Sequence, residues 1–255
     1  MKLIDSIKKD FTTRTLVLIP VAIAINIAVG QLVYVLKLPI YLDSIGTVLV
    51  GALCGPWAGL VTGALANVIW GLTLAPTSLP FFYVAAVIGV MAGYAGRLKV
   101  FERSSPRWVS TLVGGIFFFA LTVFVLSFLY ASKNEGAMPN AVNLVQQNLV
   151  IFIITILIGL AIGFYLLQKA GYAGLAGLVT GVVAAIISAP TAAIVFGGVT
   201  GAGTDLLVAA FRASGAGILA STLAQGTVSD PFDKMVSFLV VWGIIQSLPI
   251  RFKAR

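Results

Sequence analysis

The chain has no histidine, one cysteine and few charges, with 16 Lys or Arg and 8 Asp or Glu in 255 residues. Without histidine there is no Ser-His pair, no His-ligated zinc or haem and no HExxH helix. The lone Cys54 cannot close an internal disulfide and reads as a small buried hydrophobe. No P-loop is present either. The stretch Gly197–Gly203 lacks the Lys-Ser/Thr ending that such a phosphate cradle needs, and reads as a flexible turn. No enzyme chemistry, metal or cofactor is therefore expected. A basic stripe with interleaved aromatics is missing too, so the net charge of +8 does not point to nucleic acid.

What the chain has is apolar surface, at 60% hydrophobic residues, more than a water-facing domain could cover with polar atoms. Apolar segments near 15–36, 41–55, 57–75, 80–97, 108–130, 148–168, 173–195 and 231–250 predict helices, most of them long enough to cross a bilayer. The segment 41–55 is short. The segment 202–221 is ambiguous, and the preferred reading is a helix lying on or dipping into the external face. The expected fold is an all-α, polytopic integral membrane protein of six to eight crossings, forming one transmembrane domain over 1–255.

The charges give an orientation. Lys2, Lys8, Lys9 and Arg14, then Arg97, Lys99, Arg103 and Arg107, then Lys169, then Arg251, Lys253 and Arg255 all fall on one side if each segment crosses. The positive-inside rule makes that side cytoplasmic, with both termini on it. Asp43, Glu135, Asp205, Asp230 and Asp233 occupy the intervening turns. In Ser229-Asp230-Pro231-Phe232-Asp233 the pattern reads as an N-cap, a Pro at the first helical position and an acid at the third. With those acids at a helix end, the helix centres are nearly free of ionisable groups. That argues against ion-coupled transport, which needs them deep in the membrane.

The hexapeptide Ala58-Gly59-Leu60-Val61-Thr62-Gly63 recurs unchanged as Ala176-Gly177-Leu178-Val179-Thr180-Gly181. A parallel four-plus-four duplication, with halves 15–97 and 108–250, and a coincidence of common membrane residues both remain open. Glycines spaced by four, such as Gly55/Gly59/Gly63 and Gly159/Gly163, and the series Ala173/Gly177/Gly181, let helix backbones approach closely.

Polar and aromatic residues gather toward the predicted external half. Tyr34, Tyr41 and Asp43 flank the first external turn. Asn67, Trp70, Thr73, Thr77 and Tyr83 surround the turn after the third helix, with Asn67 and Trp70 on one helix face. Asn143, Gln146, Gln147 and Asn148 open the sixth segment. Thr191, Asp205 and Arg212 follow the seventh, with Asp205 and Arg212 on one face. Aromatic walls with a few amide, hydroxyl and carboxylate anchors suit a flat, polar small molecule. An interfacial aromatic belt, and for Asp43 a helix cap, are the plainer readings of the same residues.

Leu42-Asp43-Ser44-Ile45-Gly46-Thr47, Gly55-Pro56-Trp57-Ala58-Gly59 and the closing Ser229-Asp230-Pro231-Phe232-Asp233-Lys234 resemble the substrate-binding S component of energy-coupling factor (ECF) vitamin transporters. The resemblance implies external capture of a vitamin-like micronutrient in a pocket closed by loops. It also implies docking on a membrane scaffold (T) subunit driven by two cytoplasmic ATPases, in a bacterial inner membrane. Asn67, Trp70, Thr77, Tyr83 and Gln146 are then the candidate substrate contacts, and Tyr34, Tyr41 and Asp43 the gating turn. A small-xxx-small docking face on the first helix would fall on Ala24 and Ala28, or on Ala22, Asn26 and Gly30. A membrane sensor module and an ion-coupled carrier acting alone are the alternatives. The sensor predicts an output domain, where only about five residues follow the last expected crossing.

Overall fold

A computed structural model describes residues 2–133 and 140–249. Glu135 and the basic tail Arg251, Lys253 and Arg255 lie outside the described residues. The described chain is helical: α1 Lys2–Asp10, α2 Thr13–Val35, α3 Ile45–Cys54, α4 Pro56–Thr73, a 3-10 turn Pro76–Phe81, α5 Phe82–Arg97, α6 Arg107–Lys133, α7 Ala141–Gln147, α8 Leu149–Tyr165, α9 Gly171–Ile194, α10 Asp205–Ala213 and α11 Ile218–Ser247. Among the described residues, Thr13–Val35, Pro76–Arg97, Arg107–Tyr130 and Gly171–Ile194 are long and apolar enough to cross a membrane, and Ile45–Cys54 and Leu149–Tyr165 are shorter apolar helices. This is a polytopic all-α membrane protein.

Three expectations change. The basic N-terminus forms α1, nine residues carrying Lys2, Lys8 and Lys9 and too short to read as a crossing. The ambiguous 202–221 is divided: it holds the nine-residue α10, a turn and the first four residues of α11. The last helix begins at Ile218, so Pro231 lies inside it and Ser229-Asp230 caps nothing. An interior proline is tolerated in apolar surroundings because neighbouring groups satisfy the freed backbone. The N-cap signature is therefore degenerate with a polar turn midway along a helix.

The chain forms two compact units. The first comprises Met1–Leu32, Leu42–Arg103 and Val236–Arg255. It packs by bringing helix backbones together: a Cβ at Gly59 would stand 2.3 Å from the carbonyl oxygen of Gly89, and one at Gly63 2.1 Å from that of Ala85. The contacts 59–89 and 63–85 make α4 and α5 antiparallel. Helix α1 is tied to this unit by Asp10, which accepts from Arg97 at 3.1 Å and from the backbone N–H of Trp57 at 3.1 Å. That carboxylate occupies the positive N-terminal end of α4. Asn26 donates to Thr47 and accepts from the Gly46 N–H, both at 2.7 Å, joining α2 to α3.

The second unit comprises Val33–Tyr41 and Ser104–Met235. Here α6 and α8 run antiparallel, with Gly159 over the Gly114 carbonyl and Gly163 over that of Ser110. Gly171 meets Ser110 and Gly174 meets Val113, so α9 runs parallel to α6. Gly177 packs on Lys234 and Gly181 on Pro231, while Gly226 packs on Ala185, so α9 and α11 are antiparallel. Phe232 fills the space toward α6, between Phe117 and Phe124, at ring distances of 4.9 and 5.0 Å.

Candidate functional site

In the first unit the structure gathers Trp70, Asn67 and Asp43. Trp70 is 7% exposed, its indole N–H donates to Gln31 at 2.8 Å, and its ring and the Asp43 side chain both press on Gly30. A Cβ there would stand 3.0 Å from the Trp70 ring and 3.1 Å from the Asp43 Cβ, so these side chains would have to give by a few tenths of an ångström. Asn67 donates to the Ser78 carbonyl at 3.4 Å, and the Ser78 hydroxyl lies 3.2 Å from the Asn67 carbonyl, folding the 3-10 turn back on α4. Thr77 and Tyr83 are half-buried nearby in sequence, and Tyr83 meets Phe82 edge-on. Ser44, the residue before α3, makes no side-chain capping bond. An apolar groove of about 460 Å³ also belongs to this unit, lined by Val17, Leu18, Leu49, Leu53, Ile244 and Leu248 with Thr13 and Arg14. Its lining is unsuited to a polar ligand.

The remaining candidates belong to the second unit. Gln146 on α7 is exposed, as are Asn143 and Gln147. Tyr34 lies under the Lys37 ammonium, which donates to the Gly201 carbonyl, and the Tyr34 hydroxyl abuts Gly201 itself. Asp205 does not use Arg212, which is exposed. It accepts instead from the Gly201 N–H at 2.7 Å, the Thr200 hydroxyl at 2.9 Å and the Thr200 N–H at 3.2 Å. The glycine-rich turn is thus a bound loop, with left-handed φ at Gly197, Gly198 and Gly201.

Sequence reasoning missed the centre of this unit. Midway along α11, Asp230 is 6% exposed, Asp233 0% and Lys234 3%. Lys234 pairs with Asp233, which also accepts the Tyr41 N–H at 3.3 Å. Asp230 accepts from the Ser229 hydroxyl at 3.2 Å and lies 3.5 Å from that of Ser188 on α9. Gln225 donates to Ser229 and, at 3.4 Å, to the Tyr41 hydroxyl, which also accepts from Thr204 at 2.9 Å. Burial raises the Tyr41 phenol above its usual range and the Asp230 charge adds to this, so it stays neutral and its own proton is left to donate. The helix centres are therefore not free of ionisable groups, and the argument against ion coupling loses its premise.

The family model described as ECF transporter, substrate-specific component matches residues 14–158, more than half of the chain. The chain belongs to that family. No curated protein and no solved structure matches it. The match covers Leu42–Thr47 and Gly55–Gly59, while the Ser229–Lys234 turn lies beyond it. This S component is a membrane-embedded, substrate-specific part of a transporter rather than a member of an enzyme family.

Proposed function

We propose that this S component captures a vitamin-like micronutrient on the external side of a bacterial inner membrane, for uptake driven by a T scaffold and two cytoplasmic ATPases. The observation that carries the reading is the buried polar cluster around Asp230 in a chain of this family. Ionisable groups at such depth are expensive and mark substrate or ion paths. Tyr41, Gln225, Ser229 and Asp230 are the contacts the geometry favours. Asn67, Trp70, Thr77, Tyr83 and Gln146 remain the candidates read from sequence, and Tyr34, Tyr41 and Asp43 remain the candidate gate. The bonds that tie Lys37 to Gly201 and Tyr41 to Thr204 support a gating role for the segment 34–41.

The docking face is supported by exposure. Ala22, Asn26 and Gly30 are buried within the first unit, whereas Ala24 and Ala28 are exposed on the outside of α2. Small residues there let a scaffold helix approach closely. The basic groups Lys8, Lys9, Arg14, Arg97, Lys99, Arg103 and Arg107 favour a cytoplasmic N-terminus.

Mass spectrometry of small molecules retained by the detergent-purified protein tests the capture reading. One vitamin in near-stoichiometric amount is the expected result. Uptake by the chain alone in liposomes, under a sodium or proton gradient and without ATPases, would replace it with an ion-coupled carrier. Buried Asp230 and Asp233 favour that as the second reading.

A further inference from the structure

We infer that the apolar groove of the first unit is a binding site for one acyl chain of an anionic phospholipid, whose headgroup lies beside Arg14. The inference goes beyond the capture reading and does not depend on the cargo.

The first ground is where the groove lies. Its walls are Val17 and Leu18 on α2, Leu49 and Leu53 on α3, and Ile244 and Leu248 at the end of α11. Thr13 and Arg14, the first two residues of α2, complete its lining. Leu53 is the last residue but one of α3, and Leu248 directly follows α11. The groove therefore starts at one end of the unit, the end where Asp10 meets Gly55 and Arg97. Along α2 it runs from Thr13 to Leu18, about 8 Å at helical rise and roughly half the depth of a hydrocarbon leaflet.

The second ground is size. About 460 Å³ lined by six aliphatic side chains is far more space than close-packed interiors leave empty. A transmembrane helix does not seat in it, because 8 Å of a cylinder about 10 Å across occupies roughly 600 Å³. A single acyl chain is narrower. Thr13 and Val17 on the rim are exposed, so the groove is open to such a chain from the side. Leu18 also packs against the buried cluster of Ile19, Ala22 and Ile23, which fixes the inner wall.

The third ground is charge at the mouth. Among the described lining residues Arg14 is charged and none is acidic. Lys8 and Lys9 are exposed on α1, a few residues before it. Of the neighbouring acids, Asp10 is bound to Arg97 and to the Trp57 N–H, and Asp5 is exposed on α1. An arginine this close to a helix end lines an apolar wall with its methylenes and holds its guanidinium at headgroup depth. Its planar fork matches a phosphate. Each such residue near an anionic surface strengthens binding by about fivefold.

Native mass spectrometry of the delipidated, detergent-purified protein tests this with two probes, phosphatidylglycerol and phosphatidylcholine of the same acyl chains. The expected result is one retained phosphatidylglycerol, with half-saturation at least fivefold lower than for phosphatidylcholine. Arg14→Gln should shrink that preference about fivefold, and Arg14→Lys should keep most of it. Val17→Trp fills the groove from an exposed position, so it should displace both lipids and leave the lipid-free Tm unchanged. Thr13→Trp, also at an exposed position, serves should Val17→Trp fail to fold. Equal half-saturation by the two lipids would overturn the anionic class. Phosphatidylglycerol binding that survives both tryptophan variants would overturn the groove as its site. A dimer that Val17→Trp dissociates, with neither lipid retained, would give the groove to a second copy and overturn the inference, as would retention of neither lipid by a monomer.

Discussion

The same six residues, Ala-Gly-Leu-Val-Thr-Gly, sit in α4 of the first unit and α9 of the second, and both copies turn their glycines onto an antiparallel helix. In α4 the neighbour is the small-residue face of α5, Ala85 and Gly89. In α9 it is Pro231 and Lys234, the charged turn of α11. One packing device thus serves two ends. Against α5 it makes a seam in a unit where Asn26 answers Thr47 and Gly46, while the buried Trp242 indole N–H of the same unit makes no hydrogen bond among the described residues. Against α11 it brings backbone up to carboxylates.

The comparison breaks most severely at the charged turn. Lys234→Met should destabilise the protein by about 4 kcal/mol, because the buried Asp233 carboxylate loses the ammonium it is paired with. Chemical denaturation in detergent measures it, and a loss under 1 kcal/mol would mean that the turn is hydrated. Next come the hexapeptides: Gly59→Ala and Gly181→Ala should each cost about 3 kcal/mol, since each Cβ would stand within 2.3 Å of backbone. Folded Gly59→Ala should keep normal ligand affinity, while Gly181→Ala, which displaces Pro231 and Asp230, should lose at least tenfold; equal affinities would erase the distinction between the two seams. Asn26→Ala should cost about 2 kcal/mol, as two buried partners lose their bonds. A neutral result in thermal unfolding would show that the first unit does not depend on its matched pairs. The smallest stability effect, within about 0.5 kcal/mol, is expected for exposed Ala24→Leu. Its readout is co-purification of the scaffold subunit, and unimpaired assembly would discard that face.

Much of this was legible because long apolar runs have few alternatives: α2, α4, α5, α6, α8 and α9 lie within a few residues of their predicted segments. Asp43 and Trp70 were read only as lying toward the same half of the chain, and the structure sets both against Gly30. What could not be read was the difference between a proline that opens a helix and one within it. Pro231 follows Ser229 and Asp230 in either case, and only packing of Gly181 against its backbone decides the matter. That single ambiguity hid the charged turn and, with it, Gln225 and Ser229. Ser188 carried no sequence signal, because a serine in an apolar helix ordinarily bonds its own backbone and needs no partner.

The seam between α4 and α5 also governs how this protein can change over generations. Gly59 and Gly89 each occupy the space the other's side chain would need, with prospective Cβ contacts of 2.3 and 2.0 Å. Neither position can drift alone, and no compensating change at one makes room at the other, since both obstacles are main chain. Exposed positions on the same helix, Leu65, Ile69 and Leu72, answer only to lipid and are free to exchange among apolar residues. Across related chains, variation on α4 should therefore follow its lipid face and spare its glycines, whatever molecule each chain carries.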